Sequence, residues 1–220
     1  MATHLIVKKS GDDGAYTTIA AAIAASTSGT SEDWSTITID DDGIYDELID
    51  FGALDYIKII AADNCTIAPT YAAAPVTMGS SAPANIRFDV ANGAKPVLAP
   101  AASQADKLPI FAWGETHAVD LLVNGWRFQP TAGTGWLIAE GKAPGSAVKF
   151  DSCRALGDPW TIDKILKLDK AASLTVLDCN MDKVKTAEVF AQIGPETVVN
   201  FQRSSIATDV LLAIEGPTAG

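Results

Sequence analysis

"LLVNGWRF" (121–128), "VKFDSCRA" (148–155), "LTVLDCNM" (174–181) and "VNFQRSSI" (199–206) align without gaps at spacings of 27, 26 and 25 residues. Positions one and three of each are apolar: Leu121 and Val123, Val148 and Phe150, Leu174 and Val176, Val199 and Phe201. Position six carries Trp126, Cys153, Cys179 and Ser204, and position eight carries Phe128, Ala155, Met181 and Ile206. Apolar residues at period two mark a strand with one buried face. A unit of roughly 25 residues that repeats such a strand, with turns and no regular helix, suits one coil of a parallel β-helix. Like positions then stack in ladders about 4.8 Å apart.

Working outward, three earlier segments starting at Ile37, Ile57 and Ile86 keep the first two apolar positions, at 37/39, 57/59 and 86/88, with spacings of 20 and 29. A leucine-rich repeat shares the period, but its asparagine and leucine consensus is absent. An antiparallel sandwich has no reason to repeat at this interval. Only "YTTIAAAIAAS", Tyr16 to Ser26, reads as a helix, with Ile19 and Ile23 four apart and a threonine near the start to cap it. It is placed to cover the N-terminal end of the coil. The apolar tail "DVLLAIEG" (209–216) covers the other end or pairs with another subunit. The expected architecture is all-β: one right-handed parallel β-helix domain over 1–220, with a strand and capping helix in 1–30, about seven short coils in 35–206 and a cap or interaction tail in 207–220.

Composition narrows the function. With 220 residues and 48% hydrophobic content the chain can build a core without metal or disulfide staples. Its formal charge of −11 opposes nonspecific attraction to nucleic acid or to an anionic membrane. No run of Lys and Arg offsets that charge, and the sequence reads as lacking a membrane span and a secretory signal. Cys65, Cys153 and Cys179 are too few and too far apart for a disulfide scaffold or a CxxC metal site, so they read as core thiols. In-register side chains of a parallel ladder point the same way, which disfavours a Cys153–Cys179 bond. The only histidines, His4 and His117, sit in unrelated contexts.

The densest candidate site is "TITIDDDGIYDELIDF" (36–51), with Asp40, Asp41, Asp42, Asp46, Glu47 and Asp50 beside Gly43. Setting Gly43 at position six of a calcium-binding EF-hand loop puts Thr38 at position one and Ile49 at position twelve, and Ile49 supplies no carboxylate. The stretch therefore reads as a coil entering the core through Ile37, Ile39, Ile49 and Phe51, with its charges on the solvated outside of the turn. Asp89 and Asp151 each follow a core phenylalanine, and a groove would bring such residues within roughly the 5–10 Å that glycosidases use. Aspartates at such places more often bond neighbouring turn amides. Five tryptophans, Trp34, Trp113, Trp126, Trp136 and Trp160, include candidates for sugar stacking, Trp126 being a core residue by its place on the ladder.

The chain resembles the pectin-lyase-like superfamily of parallel β-helices, and within it the pectin methylesterase type. The resemblance rests on "YTTIAAAIAAS" and on "ITIDDDGIYDELIDFGALDYIKIIA", where Gly43, Tyr45 and Glu47 match a G-x-Y-x-E element; "WRFQPTAG" (126–133) is similar to a further turn of the family. It covers about the first 65 residues and implies fold rather than activity. The esterase chemistry implied by the family needs two aspartates, glutamines and an arginine. In "ALGDPW" (155–160), Asp158 stands where that arginine belongs, and the other catalytic segments are absent. The resemblance therefore implies a scaffold without that chemistry: no catalytic, cofactor-binding or metal-binding residues.

The expected function is that of a non-enzymatic structural protein of a phage virion, a capsid decoration (cement) protein forming a homotrimer on the major capsid protein. The expectation includes no nucleic-acid and no membrane partner. A carbohydrate-binding or carbohydrate-cleaving β-helix, of the tailspike or pectin-esterase kind, is the alternative. Paired carboxylates or aromatic platforms in a cleft distinguish it.

Overall fold

The repeat becomes a ladder of parallel strands. His4–Val7, Ser35–Ile39, Ile57–Ala61, Ala84–Val90, Val119–Asn124, Ala147–Asp151, Ser173–Leu177 and Val198–Gln202 pair in that order in one eight-stranded sheet. Leu121 lies beside Val148, Val148 beside Leu174, and Leu174 beside Val199; Val123, Phe150, Val176 and Phe201 follow the same rule. These inward residues are buried through Val176 and half-buried at Val199 and Phe201. The computed structural model describes the chain apart from residues 71–72, 100–108, 130–135, 157–159, 169, 208–210 and 215–220, and apart from the side chains of 136–137, 160–164, 183–190, 207 and 212–213.

Thirteen further parallel strands form two more faces. One runs through Ile44–Tyr45, Thr66–Ile67, Val97–Leu98, Arg127–Phe128 and Arg154–Ala155; the other runs through Ile49–Asp50, Val76–Met78, Phe111–Trp113, Trp136–Gly141 and Trp160–Leu168. Both meet in the long strand Asn180–Ile193, which pairs with Ser205–Ala207 near its start and with Leu212–Ile214 at its end. Three parallel sheets wrapped round one apolar core make a parallel β-helix. The tail segment Leu212–Ile214 adds a strand to a face by pairing with Ala191–Ile193.

Two local readings shift. The helix α1 spans Ile19–Ala25 rather than 16–26, because the Tyr16 N–H and C=O are taken by the backbone of Ile6 and Lys8. Thr18 caps it, its hydroxyl accepting the Ala21 N–H at 3.1 Å, and Ile19, Ala22 and Ile23 close the core at this end. The spacing of 20 between Ile37 and Ile57 is a two-residue misalignment, since Ile37 pairs with Ile59 and Ser35 with Ile57. Both alignments keep apolar residues inward because a shift of two preserves the face. The 29-residue step from Ile57 to Ile86 holds.

The corner between the first two faces changes partway along the coil. Backbone bonds to the next coil place Gly43, Cys65, Pro96, Trp126, Cys153 and Cys179 in successive equivalent positions. Five residues separate Ile59 from Cys65 and seven separate Phe88 from Pro96, whereas two separate Val123 from Trp126. The tight corner turns on one left-handed residue, Gly125, Ser152, Asp178 or Arg203, with φ of 76°, 55°, 50° and 47°. At Gly125 a side chain is also excluded by space, because a Cβ there would lie 2.6 Å from Val90 Cγ2.

Phe88 is the packing centre of that transition. Its ring meets Phe51, Phe111 and Trp126 edge to face at centroid distances of 6.1, 5.3 and 5.6 Å. The Trp126 indole N–H donates to the Asp89 carbonyl at 3.2 Å, so this fully buried ring has its polar atom satisfied. Phe88→Ala is expected to lower unfolding stability by about 3–5 kcal/mol, the usual cost of emptying a phenylalanine site. Urea denaturation monitored by tryptophan fluorescence measures it, and a loss below about 1 kcal/mol would refute this packing.

Candidate functional site

The acidic coil is bound into the fold one carboxylate at a time. Glu47 reaches back to α1 and accepts the Ile19 and Ala20 N–H groups at 3.0 and 2.7 Å, satisfying donors that the first helical turn leaves open. Asp41 accepts from the Lys9 N–H at 2.5 Å, the Tyr45 hydroxyl at 2.8 Å and the Gly43 N–H at 3.1 Å. Asp46 accepts the Thr70 N–H at 2.7 Å, and Asp50 accepts the Gly52 N–H at 3.0 Å and the Thr77 hydroxyl at 2.9 Å. Asp40 pairs with the Lys8 ammonium at 3.2 Å. The reading of these charges as merely solvated is corrected for Asp41 and Glu47, which are half-buried and hold the N-terminal segment to the first coil.

Burial pushes the Asp41 carboxyl up, and its bonds from the Lys9 amide, the Tyr45 hydroxyl and the Gly43 amide outweigh that and hold it below the ordinary carboxylate range. The Tyr45 hydroxyl moves the other way, raised by burial and by donating to Asp41. A depressed carboxyl adds stability that is complete above its unfolded value of about 3.9 and is lost as pH falls towards the folded value. Asp41→Asn is expected to cost about 1–2 kcal/mol at pH 7 and much less at pH 3. Urea midpoints of both proteins at the two pH values measure this, and a pH-independent difference would contradict the assignment.

The other sequence candidates fall apart as a site. Asp89 and Asp151 lie on one outward ladder of the eight-stranded sheet with Asn124 between them. Asp89 accepts from the Asn124 amide at 3.2 Å, and Asp151 pairs with Lys149 at 3.0 Å. They stand on a sheet surface, two rungs apart. Trp113 and Trp126 are core, and Trp113 donates to the buried Ser146 hydroxyl at 3.1 Å. Trp34 is half-buried, edge-on to Tyr56 at 5.3 Å, with the Arg87 guanidinium 4.1 Å from its ring centroid. The side chains of Trp136 and Trp160, residues 130–133 of "WRFQPTAG", and Asp158 lie outside the described residues.

The three thiols are buried and unbonded to one another covalently. Burial pushes Cys65 up to about 12 and raises Cys153 as well, whereas the hydrogen bond with Cys153 lowers Cys179, which is shielded from reagent by its burial alone. A thiol held protonated in a core is inert. Ellman's reagent is therefore expected to titrate none of the three in the native protein within minutes and all three in urea; rapid native labelling would contradict the ladder.

A feature missed in the sequence lies where the long and tight corners meet. Val90, Gly93, Ala94 and Lys95 of the long corner overhang Gly125, Arg127, Ser152 and Arg154, leaving an open groove of about 360 Å³. Arg127 and Arg154 are in register on adjacent strands, and Lys95 comes from the coil before. Arg127 is half-buried, whereas Lys95 and Arg154 are exposed. The signal was position seven of the aligned repeat, which holds Arg127 and Arg154; searching for a contiguous run of Lys and Arg misses cations 27 residues apart that stack on neighbouring rungs.

Among known proteins, no family model and no curated protein matches the chain. Among solved structures, pectin methylesterase PemA from Erwinia chrysanthemi is similar at 11% identity and a TM-score of 0.41, over 90% of this chain and 81% of that one. The parallel β-helix itself rests on the strand registers described above.

Proposed function

We propose that the chain is a non-enzymatic structural protein of a phage virion, a capsid decoration protein that sits as a homotrimer on the major capsid protein. The observation that carries this reading is the use of its carboxylates: Asp41, Asp46, Glu47, Asp50 and Asp55 each accept hydrogen bonds from a segment 24 or more residues away in the chain or from a turn amide, and so serve the coil itself. Two further features support it. The eight-stranded face offers a long, regular surface for side-by-side packing round a threefold axis. At the far rung, Val199, Phe201 and Ile206 are half-buried while Val198, Leu211 and Ile214 are exposed, which suits attachment to another protein. The net charge of −11 limits sticking to packaged DNA.

Sedimentation equilibrium on the purified chain is expected to give three times the mass of one chain. Cryo-electron microscopy of particles carrying it is expected to place it on the outside of the shell. A monomer at micromolar concentration, or turnover of a pectin or other acidic polysaccharide by the isolated chain, would overturn the proposal.

A further inference from the structure

The groove at the change of corner has the chemistry of an anion site. Lys8, Lys149, Lys167 and Arg203 each hold a carboxylate, and Lys9 and Arg87 lie over aromatic rings. Lys95, Arg127 and Arg154 make no ion pair and no side-chain hydrogen bond among the described residues; Lys58, Lys142 and Lys170 make none either, but the first three share the lining of one groove, in a chain where acids outnumber bases 27 to 16. Arg127 and Arg154 stand directly beside each other across a strand pair, where like charges repel. A coil that places these cations on successive rungs, at steps of about 4.8 Å, concentrates positive potential on an otherwise negative surface. The apolar walls, Val90 and Ala94, reduce screening by water at the half-buried Arg127.

We propose that this groove binds an oxyanion, a sulfate, phosphate or carboxylate group, with Arg127 and Arg154 as the planar forks that hold it and Lys95 as the charge that closes the array. Guanidinium groups match the paired oxygens of such anions and bind them in two-point fashion. The anion relieves the repulsion between the two arginines, so binding and stability are coupled. The group arrives either as a free small anion or on an acidic glycan.

The test titrates the full chain with sodium sulfate, sodium phosphate and polygalacturonate at a low ionic strength held constant with sodium chloride, read by calorimetry and by the shift in melting temperature. Saturable binding at one site per chain is expected, weakened at least tenfold in Arg127→Gln/Arg154→Gln and in the single Arg154→Gln variant, and unchanged in Lys170→Gln, an exposed cation outside the groove. Without anion the arginine variants are expected to melt no lower than the parent, because a repulsion has been removed; this separates lost binding from lost fold. Tighter binding of the polymer than of either free anion assigns the groove to a glycan, and the reverse assigns it to a small anion. Absence of saturable binding to all three, or an equal loss in Lys170→Gln, overturns the proposal.

Discussion

The whole molecule depends on one geometric demand: each rung must set its inward side chains above those of the rung before, at the spacing of paired parallel strands. That demand forbids a change of register along any strand pair of the eight-stranded sheet, and its pairs keep it from His4 to Gln202. It also fixes the corners. A tight corner needs a left-handed residue, and three of the four that serve are not glycine. Each non-glycine there costs of order 1 kcal/mol in backbone strain. Bonds between coils offset it: the Gly125, Ser152 and Asp178 N–H groups donate to the carbonyls of Asp151, Leu177 and Gln202, and the Arg203 guanidinium grips Asp178. The chain uses side-chain chemistry at these corners to replace the conformational freedom that glycine would supply.

The carboxylates answer the same demand at the start of the coil. A β-helix that begins abruptly leaves N–H groups of its first turns and of the capping helix without partners, and carboxylates are the strongest acceptors available for them. Glu47 ties α1 to the first coil, Asp41 ties in Lys9, and Asp55 accepts the Asn85 N–H and side-chain amide at 2.7 and 2.9 Å. An excess of acids is therefore partly a structural requirement of an edge that must be closed. Its electrostatic cost is spread along the surface, where water and salt screen it.

Much of this was legible in the sequence because ladders translate directly into repeats. The four aligned octapeptides gave the register of the later coils residue for residue, and with it the burial of Trp126; the burial of Ile37, Ile39, Ile49 and Phe51 was legible from the apolar alternation flanking the acidic turn. The earlier coils were harder to align for a physical reason: their corners carry three to five more residues than the later ones, so position six drifts relative to positions one and three. The partners of Asp41 and Glu47 were hidden for another reason. Their distant donors, the Lys9 and Ile19 N–H groups, lie 32 and 28 residues away in the chain; pairing of His4–Val7 with Ser35–Ile39 brings in the first, and packing of α1 on the first coil brings in the second.

The change of corner also explains why a groove exists where it does. With all corners alike, successive turns would stack flush and leave a smooth ridge. The coil holding Phe88 keeps its strand going to Val90, and the next coil turns at Gly125, beneath the place where Val90 projects. Trp126 fills the inside of that step, and the outside remains open. Nothing in the packing of the step calls for arginine at 127 or 154: position seven holds Asn180 and Ser205 in the next two rungs, and the parallel ladder continues through them. A fold that tolerates Asn and Ser there, yet carries two facing arginines at the one rung pair bordering the groove, has accepted a local repulsion that its own core does not need. Charge placed against stability beside an open groove is the mark of a surface that meets a ligand.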